Sequence, residues 1–302
     1  MQDRSFTDQV IVITGASSGF GKGAARQFAA CRAKLVLAAR RAALIEELAR
    51  ECQGLGAAAF AVETDVADRS DVERLAQTAV LRFGSIDIWI NNAGVGAIGP
   101  FERVPLADHV KVVETDLLGT IYGSHCAYRQ FLSQGSGTLI NIASELGRHT
   151  VPYYASYAAA KHGVVGFSDA LRQEVMQSDN RDTIHICTVM PTAHDTPFFD
   201  HAANYTGHEV QAPTPLHDPQ NVVDAIVRIA ANPKDKEIVG ADGIVKVLLK
   251  NLAPGIAERA AAKQMHMTQM MKAPIAPDSP GAVRSPTPSG TEVSAGRLRA
   301  SA

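Results

Sequence analysis

Thr14-Gly15-Ala16-Ser17-Ser18-Gly19-Phe20-Gly21 joins two stretches of different periodicity. Before it, Gln9-Val10-Ile11-Val12-Ile13 is an apolar run short enough for a buried parallel strand, and after it residues 21–30 continue with helical spacing. The glycines therefore sit at a strand-to-helix turn. Without side chains they let the backbone approach a pyrophosphate, whose charge is met by unpaired amides and the positive end of the helix dipole. Ser17, Ser18 and Phe20 fall inside that cradle with Gly15, Gly19 and Gly21. The spacing is Gly-x-x-x-Gly-x-Gly rather than Gly-x-Gly-x-x-Gly, and a tight turn without a ligand is the plain alternative for this stretch alone.

Outward from the turn the pattern alternates. Strands are expected at 9–14, 34–39, 57–63, 87–91, 137–143 and 183–190, and helices at 19–31, 41–53, 69–83, 107–132 and 154–177. A further helix near 218–232 and a short strand near 236–239 complete a seven-stranded, doubly wound α/β sheet with helices on both faces, a Rossmann arrangement. Gly54-Leu55-Gly56 and Gly135-Ser136-Gly137 supply the stops between helix and strand.

A second segment, Tyr157-Ala158-Ala159-Ala160-Lys161, puts a phenol and an ammonium one helical turn apart, and Ser144 lies 13 residues before the tyrosine. Asp65-Val66 and Asn91-Asn92-Ala93-Gly94 follow strand-like runs, at the strand ends where open α/β sheets bind ligands. With these motifs in this order the sequence resembles the short-chain dehydrogenase/reductase family over roughly residues 6–240. The resemblance implies hydride transfer between a nicotinamide and a carbonyl or alcohol. Ser144, Tyr157 and Lys161 match its catalytic positions, and Lys161 would also hold the nicotinamide ribose. Asp65, Val66, Asn91, Ala93 and Gly94 match cofactor positions, as do Pro191 and Thr196 after the sixth strand.

The chemistry is readable from the residues themselves. A phenol with a reference pKa of about 10 is a poor proton shuttle at neutral pH; an ammonium about 5 Å away, at an effective dielectric near 20, favours phenolate by about 3 kcal/mol. Ser144 would donate to the substrate oxygen and polarise it. Two departures from the family pattern stand out: Pro191-Thr192 in place of Pro-Gly, and Asp116 where the family usually has Asn as a fourth catalytic position. If ionised through water access along its helix, Asp116 would attract Lys161 and offset its field at Tyr157.

At the end of the second strand, Leu35-Val36-Leu37-Ala38-Ala39-Arg40-Arg41, Ala39 stands where an acid would read the ribose hydroxyls of NAD. Arg40 suits a 2′-phosphate. NADP is therefore expected, with NAD possible. The alternative is that both arginines merely decorate a helix start, where positive charge opposes the dipole.

Composition narrows the remaining classes. The formal charge of -2 with scattered basic residues offers no nucleic-acid surface. The polar N-terminus and the lack of an apolar run of about 18 residues point to a soluble, cytoplasmic protein not associated with a membrane. Cys31, Cys52, Cys126 and Cys187 have no Cys-x-x-Cys spacing, so neither metal nor disulfide is expected. His194, His201, His208 and His217 show no metal spacing and read as polar loop residues. The segment from Thr192 to Leu216, with Phe198, Phe199 and Tyr205, reads equally as the wall of an apolar substrate pocket or as core packing.

Three divisions follow: a catalytic domain over 1–240, a helical extension over 241–272, and a Pro/Ser-rich tail over 273–302 expected to be disordered or laid on a neighbour. The extension reads as a helix packed on the domain or one that meets a membrane or partner. Three functions are in play. An NADP-dependent oxidoreductase, assembled as a homodimer or homotetramer as the family commonly is, leads over a low-activity redox-responsive binding protein and a peripheral membrane or assembly protein acting through residues 241–302.

Overall fold

The computed structural model describes residues 6–300. Its strands are β1 (Val10–Thr14), β2 (Lys34–Ala39), β3 (Ala58–Glu63), β4 (Ile88–Asn91), β5 (Ala97–Ile98), β6 (Gly137–Ile142), β7 (Ile184–Pro191), β8 (Ala203–Asn204) and β9 (Lys236–Val239). The helices are α1 (Gly19–Ala30), α2 (Ala42–Gly54), α3 (Arg69–Phe83), α4 (Leu106–Val113), α5 (Gly119–Gln134), α6 (Ala155–Met176), α7 (Phe198–His201), α8 (Gln220–Ala231), α9 (Ala241–Leu252), α10 (Pro254–His266) and α11 (Arg297–Ala300). Seven strands form one parallel sheet in the order β3-β2-β1-β4-β6-β7-β9. The order reverses between β1 and β4, which opens a crevice at their carboxyl ends. β5 and β8 pair separately, above that crevice.

The central strands are largely apolar because both faces are covered. Ile11, Ile13, Leu35 and Leu37 turn to one side, against Phe28 of α1, Ile45 and Leu48 of α2 and Ile226 of α8. Val12, Val36, Trp89 and Leu139 turn to the other, against Leu75 of α3, Phe131 of α5 and Val175 of α6. Full burial of each such side chain is worth about 1.5–3 kcal/mol. Helix ends follow local chemistry: Asp68 caps α3 by accepting from the Ser70 N–H, and Gly84 ends it in the left-handed region at φ +87.

Two expectations are revised. The long helix foreseen at 107–132 runs from Leu106 to Gln134, but a π-helical turn over Glu114–Leu118 interrupts it. The tail over residues 273–302, expected to be disordered or laid on a neighbour, lies in its described part over the carboxyl edge of this chain's own sheet. Asn204 and Ser279 exchange two backbone hydrogen bonds of 2.8 Å, and Val283 is fully buried among Val95, Ala97, Val104, Val112 and Ala203. A proline- and serine-rich segment cannot build a core of its own, but its backbone can pair with a neighbouring strand and a single valine can fill a pocket the domain already provides.

Residues 241–272 pack on the domain. Met265 is buried beside Ile98, Tyr154 and Ala202, whereas Met267 and Met271 are exposed. Among the described residues no helix is long and apolar enough to cross a membrane.

Candidate active site

A cavity of about 670 Å³ lies over the carboxyl ends of β1, β2, β4, β6 and β7. At its floor Gly15 has φ +66, and a Cβ there would fall 2.7 Å from the Ala93 Cα. Only glycine lets the two loops touch. Thr14 locks them together: its hydroxyl donates to the Ile90 carbonyl and accepts from the Asn92 and Ala93 amides. Gly19 opens α1 at φ +54, and Ser18 leaves the first amides of that helix uncapped by its side chain. Ser17, Ser18, Gly19 and Phe20 line the cavity with Gly15; Gly21 is buried behind them.

Arg40, Asp65 and Val66 line the far end. Asp65 receives the Lys111 ammonium at 3.2 Å and the Ala67 amide at 3.0 Å. Burial pushes the Arg40 guanidinium down from its usual value, and Asp65 works the other way. Arg41 is more than helix decoration: it donates to the hydroxyls of Ser17 at 3.0 Å and Ser18 at 2.8 Å.

Ala93 and Gly94 line the cavity, but Asn91 does not. Its side chain accepts from Trp89 Nε1 at 2.7 Å and donates to the Thr120 carbonyl, Ser124 Oγ and Asn141 Oδ1. It ties β4 to β6 and α5 inside the core. Pro191 and Thr196 line the opposite wall.

Ser144, Tyr157 and Lys161 converge on the same cavity. The first turns of α6 project Tyr157 and Lys161 together, and Lys161 Nζ lies 5.5 Å from the phenol ring centroid. That ammonium donates to the Ile142 carbonyl at 3.2 Å and pairs with Asp116 Oδ2 at 3.1 Å. The π-helical turn carries Asp116 inward, where Oδ1 accepts from the Val95 amide at 2.8 Å. Asp116 is fully buried and does not line the cavity, so it has no water access along its helix. Burial raises its pKa first; the Lys161 charge and the Val95 amide oppose that.

The lowered phenol pKa expected from Lys161 is reversed. Burial first, and then the negative charge of Asp116, hold Tyr157 above its usual value, while a hydrogen bond with Ser144 works the other way. The ammonium's field is spent on its buried partner.

Of the segment from Thr192 to Leu216, Phe198 and Phe199 line the cavity, with Phe198 5.2 Å from the Tyr157 ring. Tyr205 instead donates its hydroxyl to Asp108. His194 and His201 line the cavity, and burial lowers the pKa of both. His217 pairs with Asp242 at 2.7 Å. Among the described residues no three His, Cys, Asp or Glu side chains are grouped to hold a metal, and no disulfide joins the four cysteines.

Two features carried no sequence signal. Tyr154 is buried, lines the cavity 6.4 Å from the Tyr157 ring, and leaves its hydroxyl without a partner. Glu145, next to the catalytic serine position, is buried between His149 at 3.1 Å and Lys246 of α9 at 3.1 Å.

The family model described as short chain dehydrogenase matches residues 9–205. The chain belongs to the short-chain dehydrogenase/reductase family. It is an oxidoreductase of that family, whose members use a nicotinamide dinucleotide. An uncharacterized oxidoreductase, YxnA, of Bacillus subtilis is 33% identical over 276 residues, covering 91% of this chain and 77% of that protein. A putative oxidoreductase, SadH, of Mycobacterium tuberculosis is 29% identical over 265 residues, covering 85% and 95%. In fold the chain matches a short-chain dehydrogenase/reductase from Burkholderia phymatum in complex with NAD, with a TM-score of 0.73 at 24% identity over 84% of this chain and 96% of that one.

Proposed function

We propose that the protein is an NADP-dependent oxidoreductase acting on a carbonyl or secondary alcohol. The observation that carries this reading is the convergence of Ser144, Tyr157 and Lys161 on one cavity with a glycine cradle. The cradle fits a dinucleotide: Gly15 admits no Cβ, and the first α1 amides are uncapped by any side chain. When bound, the dinucleotide supplies or accepts hydride. Gly15, Ser17, Ser18, Gly19 and Phe20 would hold its phosphates and ribose, with Gly21 packed behind them. Asp65, Val66, Ala93 and Gly94 would flank the adenosine and linking parts, Asn91 acting from within the core. Pro191 and Thr196 would hold the nicotinamide, and Lys161 its ribose.

Tyr157 gives the proton to the substrate oxygen during reduction and removes it during oxidation, and Ser144 donates to that oxygen. The raised pKa keeps the Tyr157 phenol protonated at neutral pH, the form that carbonyl reduction consumes, while making it a weaker acid than a free phenol. Asp116 acts through Lys161 rather than on the substrate. Tyr154, Phe198, Leu249 and Met265 make the outer cavity largely apolar, which suits an apolar or ring-bearing substrate. Residues 1–240 would form the catalytic unit and 241–272 its cover, in a cytoplasmic homo-oligomer.

Arg40 supports NADP over NAD, since no acid stands at Ala39 to read two ribose hydroxyls. Direct titration with both nucleotides tests it: NADPH should bind tighter than NADH, and Arg40→Asp should abolish or reverse the preference. Equal affinities in the unaltered protein would remove the NADP assignment. A panel of carbonyls followed by NADPH absorbance tests the reaction itself.

A further inference from the structure

We propose that residues 282–298 are an autoinhibitory strap that docks in the dinucleotide cleft and competes with the cofactor for it. This rests on the NADP reading of the cleft and goes beyond it. The segment crosses the cleft between two anchors. At one, Val283 is fully buried and Arg284 pairs with Asp108, itself fully buried. At the other, fully buried Asp195 accepts from Ser294 Oγ at 2.8 Å and from the Leu298 amide at 3.2 Å. Its backbone carbonyl accepts from the Ala295 amide at 3.1 Å, and Arg297 donates to the Thr196 carbonyl at 3.1 Å.

Between the anchors the strap takes up donors that an anionic dinucleotide needs. The Gly19 amide, at the positive end of α1, donates to the Glu292 carbonyl at 3.0 Å. Arg40 donates to the carbonyls of Ala282 and Val283, and Arg41 to those of Ser289 at 3.0 Å and Gly290 at 3.3 Å. Lys22 holds the Thr291 carbonyl at 2.9 Å. Pro286 and Thr287 roof the cavity. Both Nη atoms of Arg40 are engaged by strap carbonyls, so an end-on bidentate grip on a 2′-phosphate requires the strap to leave.

Neutral carbonyls are weaker partners for these cations than a phosphate. They are tethered, however, and so compete at high effective concentration. The apparent dissociation constant for NADPH is then the intrinsic value divided by the fraction of open strap. A segment whose composition cannot support a core is suited to such a role, because releasing it exposes little buried apolar surface beyond Ala282 and Val283.

The test compares the full chain with one ending at Gly281, by equilibrium titration with NADPH and NADH. Hydrogen exchange of the Ala295 and Leu298 amides in the full chain gives a second readout. Truncation should tighten NADPH binding at least tenfold and speed its association, and NADPH should strip protection from those amides. Arg297→Ala in the full chain should move affinity in the same direction, which keeps the test open should the truncated chain fold poorly. Unchanged or weaker NADPH binding after truncation, or added protection on the strap with NADPH bound, would overturn the proposal in favour of a passive cover. If truncation tightens both nucleotides and their affinities are equal in both chains, the strap stands and the NADP reading falls; if neither nucleotide binds either chain, both fall.

Discussion

Asp116 sits where its charge decides how the phenol titrates. Its carboxylate is 3.1 Å from Lys161 and is among the causes that raise the Tyr157 pKa. The sign is direct: a nearby negative charge disfavours phenolate, so neutralising it lowers the phenol pKa. A unit charge at about 7 Å in an effective dielectric near 20 is worth about 2 kcal/mol, or between one and two pKa units. Asp116→Asn should therefore move the basic limb of the kcat/KM profile for alcohol oxidation downward by about one unit. Superimposable profiles would mean that the carboxyl is already protonated, as its burial favours. Tyr154 offers a separate test, because it lines the cavity and its buried hydroxyl has no partner. If that group meets a polar atom of the substrate, Tyr154→Phe should raise KM about tenfold with little change in kcat, the cost of about one hydrogen bond. An unchanged KM on the best substrate of a carbonyl panel would leave Tyr154 as packing.

The elements around these residues differ in how far the sequence announced them. β1, β2, β4 and β6 were readable as short apolar runs because both faces of the sheet are covered, and α6 by its helical spacing. The π-helical turn was not, since Glu114-Thr115-Asp116-Leu117-Leu118 is unexceptional as α-helix and only the buried Lys161 draws Asp116 inward. Placement of the tail was equally hidden, because arginines meeting backbone carbonyls leave no side-chain pattern to read. Asn91 matched a cofactor motif by position, yet its side chain serves the joint between β4, β6 and α5. That joint makes a prediction. A Cβ at Gly123 of α5 would collide with Asn91 Oδ1 and lie 2.8 Å from Trp89 Nε1. Gly123→Ala should destabilise the fold by about 2 kcal/mol or more, through overpacking and loss of buried hydrogen bonds. Gly166, exposed on α6, has open space around its Cα. Gly166→Ala should stabilise by about 0.5–1 kcal/mol through helix propensity. Thermal unfolding of the two variants should move in opposite directions, and a parallel shift would refute the joint.

At the scale of the molecule, the surface that remains is unevenly apolar. Leu106 and Val110 of α4 are exposed beside Phe101, and a groove of about 470 Å³ runs between α4 and the first turns of α6. Ala155 and Ala159 line its far side. Alanines let a second helix approach closely, and exposed leucine and phenylalanine supply area for it to bury. In the homo-oligomer proposed above, a twofold contact through this face would seat Val110 of each copy against the alanines of the other. The strap is anchored on the buried side of α4, at Asp108 and Val112, whereas Leu106 and Val110 lie on its exposed side, so the two features should separate experimentally. Ala159→Trp is expected to lower the mass measured by light scattering while leaving NADPH affinity within about twofold, since Ala159 is exposed and does not line the cleft. Truncation at Gly281 should do the reverse, changing affinity without changing mass. An unaltered mass in Ala159→Trp would place assembly elsewhere, with the exposed face of α9 at Ile244, Val245 and Leu248 the next to substitute.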